Sequence, residues 1–383
     1  MTAPAPVEPL PCGERLVRCL TGAPVDRVPF GVGIGWRPWG DTVERWRHES
    51  GDSALDPGAA VGLEQGFCTA PVTLGLNPPY EPEVLERTEG YVIHRDALGI
   101  VKRDRGDLGS MPEFLEHPVR DEADWERIRE ERLRPDDDSR WRTDWDAFRG
   151  HVARTGEAVQ VGAFPYGVFG TPRDLMGAER LLLAFCDRPA LVRDMMERLT
   201  DVWLSVYERA AAEVRIDHIH IWEDMSGRHG SLISPRMVRE FMMPCYDRIV
   251  AFARRVGVRI VSVDTDGDCT QLVPVMAEHG INMFFPFEVQ AGNDILEVRR
   301  RHPDLGIMGG LDKRALAGSA EDVDREVERA RRMLEHGRYV PGFDHLIPPD
   351  ASWHNYLRAA GAIRGLCHGA SRSHRGEADD RDR

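Results

Sequence analysis

Five stretches of this sequence run apolar and then break on acidic residues. Ile216 to Trp222 is followed by Glu223-Asp224, Val258 to Val263 by Asp264-Thr265-Asp266-Gly267-Asp268, and Phe284 to Phe287 by Glu288. Gly306 to Leu311 is followed by Asp312-Lys313, and Arg338 to Pro341, after Gly342-Phe343, by Asp344-His345. A carboxylate where a buried strand opens into a loop costs desolvation energy unless something there uses it. Acids gathered at one mouth repel each other. A divalent cation, a cationic substrate or basic side chains can stabilise them, and the basic candidates are Arg37, Arg173, Lys313 and Arg314. Without such a partner, one or more carboxyl groups hold a raised pKa and serve as a general acid.

Each motif also has a plain structural reading. Asp264-x-Asp266-x-Asp268 looks like the start of a calcium loop, but Cys269 and Val275 stand where that loop needs Gly and Glu, so an EF-hand is rejected. Asp266 and Asp268 either line a site or cap the following helix. His218 and His220 share one strand face, as metal ligands do, yet lie inside the strand, where hydrogen-bonded core histidines are the plainer reading. Asp312 either lines the mouth or starts a helix with Lys313 as its ion-pair partner. His345 lies in a rigid loop beside Asp344, an arrangement suited to proton transfer. Trp36-Arg37-Pro38-Trp39 is a substrate lid or surface packing.

The elements that must carry these residues follow a β-then-α rhythm. Val159 to Phe164 reads as a strand, with helices from Thr171 to Val214; the strands at Ile216, Val258, Ile281, Leu305 and Arg338 come mostly with a helix between. The number of units favours a (β/α)8 TIM barrel of α/β class over an open sheet, and neither GxGxxG after a strand nor a Walker A motif is present. In a closed barrel the five exits share one face. Upstream, Gly13 to Leu20 reads as a helix, Arg27 to Gly33 as a first strand, and Asn77 to Asp107 as an antiparallel hairpin excursion turning at Glu89-Gly90. The predicted organisation is an N-terminal extension over 1–25, one barrel domain over 26–367 and a polar, disordered tail over 368–383.

Bulk properties exclude several functions. The chain has 383 residues, 42% hydrophobic and 30% charged, an ordinary globular composition. A net charge of -14 argues against nucleic acid or an anionic membrane as partner. No apolar run suits a membrane span and no signal sequence is evident, so the cytoplasm is expected. Seven scattered cysteines without a CxxC pair predict reduced, structural thiols.

The segment PFEVQAGNDILEVRRRHPDLGIMGGLDKRAL, the strand Tyr339-Val340-Pro341 and DHLIPPDASWHNY resemble the uroporphyrinogen decarboxylase superfamily. Arg27-Val28-Pro29, RDLMGAERLLLAFCDRP and Ser234-Pro235 are similar to its divergent branch. The resemblance implies a (β/α)8 barrel with its site at the C-terminal face. The superfamily holds cofactor-free decarboxylases and zinc-dependent methyltransferases that exchange methyl groups with corrinoid proteins. This chain departs from both. The Arg-Gln-Ala-Gly-Arg motif of the decarboxylases is replaced by Gly35-Trp36-Arg37-Pro38-Trp39, and Phe67-Cys68-Thr69-Ala70-Pro71 lacks their catalytic Asp. Asp264 and Asp266 replace the His-x-Cys zinc motif of the methyltransferases, and Tyr339 to His345 lacks their later Cys.

The expected function is a decarboxylase-like lyase acting on a small carboxylated metabolite other than uroporphyrinogen III. Arg37 would hold a substrate carboxylate, Asp264 or Asp266 would protonate or stabilise a cationic intermediate, and His345 would assist. Trp36, Glu223, Glu288, Asp312 and Lys313 complete the expected binding residues. No cofactor is expected. The alternative is methyl or one-carbon transfer, with a divalent metal such as zinc, oxygen-ligated by Asp264, Asp266 or Glu223, and with a corrinoid protein as partner. A homodimer is compatible with either.

Overall fold

The computed structural model describes residues 8–105 and 111–369. The chain forms two compact units interleaved along the sequence, one from residues 1–67, 153–158 and 282–383, the other from 68–152 and 159–281. Seven short strands carry the β-then-α rhythm: β1 (Phe67–Thr69), β2 (Ala158–Val161), β3 (His218–Trp222), β4 (Ile260–Thr265), β5 (Met283–Pro286), β6 (Gly306–Met308) and β7 (Tyr339–Val340). The polar tail expected after Gly369 and the start of the expected N-terminal extension lie outside the described residues. Among the described residues no helix is long and apolar enough to cross a membrane. None of the seven cysteines is in a disulfide.

In the second unit β2, β3 and β4 pair in parallel, Gln160 and Ile260 flanking His218, and Ser262 and Asp264 facing His220 and Trp222. Parallel neighbours in register project their side chains to the same face, so Gln160, His218, His220, Trp222, Ser262 and Asp264 form one polar wall. The other face carries Ile219, Ile221, Val261 and Val263, all buried. It supplies the apolar surface that the helices Pro189–Glu213 and Met243–Val256 need for their own buried stripes. The expected hairpin is a four-stranded antiparallel meander, Glu83–Arg87, Val92–Arg95, Val101–Asp104 and Glu113–Glu116. The fourth strand escapes sequence reading because Glu113–Glu116 holds only two apolar residues.

Arg140 is the polar anchor of this unit. It is 1% exposed, and its guanidinium donates to the carbonyls of Arg132, Arg134, Thr73 and Gly75. A planar fork with five N–H groups satisfies several loop carbonyls at once, which an ammonium cannot do. Arg140→Ala is expected to lower stability by about 3 kcal/mol, with Arg140→Lys recovering little of it, as read from urea denaturation midpoints. An unchanged midpoint in Arg140→Ala contradicts the anchoring role.

In the first unit β5, β6 and β7 pair in parallel, Phe284 with Ile307 and Met308 with Val340. Helix Cys12–Thr21 begins near the N-terminus, as its pattern predicts, and ends on Gly22 at φ 78, the left-handed conformation glycine adopts without a Cβ penalty. Arg27 to Gly33, expected as a strand, forms no ladder. Val28 N donates to Cys367 O, Phe30 N to the Glu64 carboxylate and Glu64 N to Phe30 O, so a helix end and a carboxylate satisfy the backbone instead. Pro29 adds no N–H to any ladder.

Candidate functional site

The acidic exits divide between the units. In the second unit the polar wall deepens from the exit inward. His218 Nε2 lies 2.6 Å from Ser262 Oγ, fully buried, and burial pushes its imidazole well below the usual range, so it stays neutral. That is the core histidine expected from its place inside the strand. His220, two residues further on the same face, behaves differently. Its Nε2 lies 3.5 Å from Asp264 Oδ2, and both side chains keep 13% of their surface in solvent. A carboxylate with an imidazole at that distance can orient the ring and trade a proton with it once a ligand draws them together.

Trp222 sits at the end of β3, in register with Asp264. Phe164 meets its ring edge to face at 4.7 Å, and the Arg173 guanidinium lies 5.1 Å from the ring centre. Arg173 in turn binds Asp224 through the carboxylate at 2.6 Å and through its backbone carbonyl. Asp224 has φ 41, a left-handed conformation uncommon for aspartate, which the two-point grip of Arg173 holds in place.

Glu223, expected to touch substrate, does something else. It is 0% exposed, and its carboxylate accepts from the backbone N–H groups of Val168, Phe169 and Gly170 and from the Tyr246 hydroxyl at 2.5 Å. Burial pushes its pKa up, and those four donors oppose the shift. Strand alternation decides its fate: Glu223 turns away from the wall that Trp222 and Asp264 share. It is therefore a clasp for the loop after β2, and it has no oxygen left for a ligand or metal. Gly167 shows how tightly that loop lies on β3, since a Cβ there would meet Trp222 O at 1.7 Å.

The loop after β4 follows neither expectation for Asp266 and Asp268 alone. Both are half-buried. Asp268 Oδ1 accepts from Thr270 N and Oγ1, closing a turn ahead of helix Leu272–Glu278, whose N-cap position belongs to Gln271. Gly267 at φ 75 makes the bend, with Ser226 O 2.5 Å from where its Cβ would be.

In the first unit the exits of β5, β6 and β7 are tied together by Asp344, a residue that sequence reading passed over in favour of His345. Asp344 is 0% exposed; Oδ2 accepts from Val289 N at 2.9 Å and Oδ1 from Lys313 N at 3.1 Å. Lys313 Nζ lies 3.5 Å from Glu288 and 3.8 Å from Asp344. Asp312 takes Arg314, at 2.7 Å, and not Lys313 as its partner, and it caps the turn Lys313–Ala317 by accepting from Arg314 N. His345 is half-buried beside this group. Trp36 is 0% exposed, with Nε1 donating to Pro341 O and its ring packed on Phe30, Phe343 and Tyr356. That corrects its expected place as a substrate-facing lid: an amphipathic ring with a satisfied N–H is most stable inside. Arg37, next to it, is exposed.

Burial pushes the Asp344 carboxyl up to about 6, against the attraction of Lys313. A carboxyl raised above its unfolded value costs stability while ionised, so the cost is present at neutral pH and fades as pH falls through about 6 towards 4. Urea denaturation of the parent and of Asp344→Asn checks this. The stability difference is expected to move by about 2 kcal/mol in favour of the parent between about pH 7.5 and about pH 4.5. A constant difference contradicts the raised pKa.

Two residue groups thus stand at strand exits: His220, Asp264, Trp222, Phe164 and Arg173 in the second unit, and Glu288, Lys313, Asp344 and His345 in the first. A family model described as Uroporphyrinogen decarboxylase (URO-D) matches residues 92–365. No curated protein matches the chain. Among solved structures, a methyltransferase from Methanosarcina mazei superposes with a TM-score of 0.55 at 17% identity, over 93% of this chain and 99% of that one. At that identity the likeness speaks for the fold, a TIM-like (β/α)8 arrangement of mixed α/β class, as the strand-and-helix rhythm predicts. With the family model spanning most of its length, the chain belongs to the uroporphyrinogen decarboxylase (URO-D) family.

Proposed function

We propose that this protein is a decarboxylase-like lyase that removes carbon dioxide from a small carboxylated metabolite, with Asp264 as its central charged group. The observation that carries this reading is the part-buried Asp264–His220 pair at 3.5 Å, with Asp264 near the end of β4 and His220 within β3. In the step envisaged, the carbon–carboxylate bond breaks and its electron pair stays on carbon. That carbon takes a proton, supplied by His220, and carbon dioxide leaves. Asp264, ionised, stabilises positive charge on the substrate or intermediate, which a low-dielectric, pre-arranged carboxylate does well.

Family membership makes an enzyme the natural reading and leaves decarboxylation and methyl transfer both open to experiment. Methyl transfer is the second reading, favoured by the methyltransferase among structurally similar proteins. A thiolate-held zinc ion does not fit the Asp264 end of the wall. Asp264 and Asp266 supply oxygen where that branch has His and Cys, and the nearby Cys269 is buried with its thiol pushed up to about 12. Glu223 is spent on backbone groups, which removes one oxygen donor from the expected alternative.

We therefore propose a cofactor-independent reaction. Carbon dioxide release from a panel of small carboxylic acids, followed before and after exhaustive chelation, tests it. Turnover that survives with zinc below about a tenth of an equivalent supports the reading; turnover that rises and falls with zinc overturns it.

A further inference from the structure

We infer that the Asp264 site takes an organic cation, a protonated or quaternary amine, so that the substrate is a carboxylated amine; this rests on the reading that the Asp264 end of the wall is where the reaction occurs. Asp264 is part-buried, and among the described residues no Lys or Arg pairs with it; the ionisable side chain it meets at 3.5 Å is His220. Arg173, which lies over the Trp222 ring, is committed to Asp224. An imidazole compensates a part-buried carboxylate only while it carries its proton, so a ligand that brings a permanent cation gains whatever His220 leaves uncompensated once that proton has been given up.

The second observation is aromatic. Phe164 is 68% exposed, an unusual exposure for so large an apolar side chain, and it stands against Trp222, the register neighbour of Asp264. An exposed aromatic ring packed on the register neighbour of a carboxylate that no Lys or Arg neutralises has the composition of an ammonium pocket: the ring quadrupole attracts diffuse positive charge and the carboxylate supplies the countercharge. The corner already uses this interaction once, since Arg173 lies over the Trp222 ring.

An inorganic ion fits less well. Aromatic faces do not ligate a hard metal, and among the described residues Asp264 and His220 belong to no group of three donor atoms close enough to hold an ion. A simple carboxylate without a cation would meet Asp264 as a like charge.

Calorimetric titration with choline and with its uncharged isostere 3,3-dimethylbutan-1-ol tests the inference without any turnover. The parent is expected to bind choline saturably and the alcohol at least about tenfold more weakly. Asp264→Asn and Phe164→Ala, each checked for an unchanged circular dichroism spectrum, are expected to weaken choline by about tenfold or more, while Phe114→Ala on the antiparallel meander leaves it unchanged. Equal binding of choline and the alcohol overturns the inference, as does no choline binding, or choline binding indifferent to both site variants. Zinc chloride or magnesium chloride binding at an Asp264-dependent site that excludes choline also overturns it. Choline binding in a protein that releases no carbon dioxide from any acid would retain the cation site and reject the decarboxylation reading, so the two fail separately.

Discussion

Asp264→Asn is expected to lower kcat by about a hundredfold or more while leaving the fold intact. Removing one pre-arranged charge from a site typically costs a factor on the order of a hundred to a thousand. The structural cost is small for an identifiable reason. The backbone carbonyl of Asp264, and not its side chain, receives the N–H groups of Glu223 and Asp224 that join β3 to β4. The side chain has His220 beside it at 3.5 Å, too long for a full hydrogen bond, so an isosteric amide loses little there. Steady-state kinetics together with a thermal melt separate the two contributions. Turnover within about threefold of the parent would remove Asp264 from the chemistry.

Glu223→Ala carries the largest expected loss of stability, on the order of 5 kcal/mol. Three backbone N–H groups and the Tyr246 hydroxyl converge on this carboxylate where water does not reach. Each buried donor left without an acceptor costs about 1–3 kcal/mol, and a smaller side chain adds a cavity. That loss approaches the whole stability of an ordinary domain, so the variant is expected to be largely unfolded in mild denaturant. Glu223→Gln keeps one acceptor oxygen but turns an amide N–H towards donors, and so falls between. Tyr246→Phe, which removes a single donor, costs about 1 kcal/mol. Urea midpoints that place Glu223→Ala beside the parent would contradict the clasp.

The exits themselves were legible because the signal is local: an apolar run ending on charge marks the place where a buried strand meets a loop. What each charge does was not legible, because it depends on which way the chain faces at that residue. Glu223 and Asp264 look alike in sequence. Strand alternation turns Glu223 inward to the loop after β2, while register sets Asp264 on the wall beside Trp222. His218 and His220 share a face and differ only in depth; a reading by residue type treats them alike, yet one is a neutral core group and the other borders the site. Arg314 took the Asp312 partner expected for Lys313, because reach and direction decide such pairs, which adjacency does not reveal. Asp344 was overshadowed by His345, although a carboxylate between Phe343 and a histidine at a strand exit is itself the signal of a buried clasp. Trp36 misled in the opposite sense: Gly and Pro around it suggested a loop tip, and tertiary packing buried the ring.

The most direct measurement of the central claim is turnover in deuterium oxide, with the product read by mass spectrometry and the headspace by isotope-ratio detection of carboxyl-labelled carbon dioxide. A lyase that protonates carbon as carbon dioxide departs gives one equivalent of labelled gas and one solvent deuteron at the carbon that lost it, and both slow together by about a hundredfold or more in Asp264→Asn. Methylated cobalamin formed from cob(I)alamin, with no labelled gas and no deuterium in the product, would contradict the account.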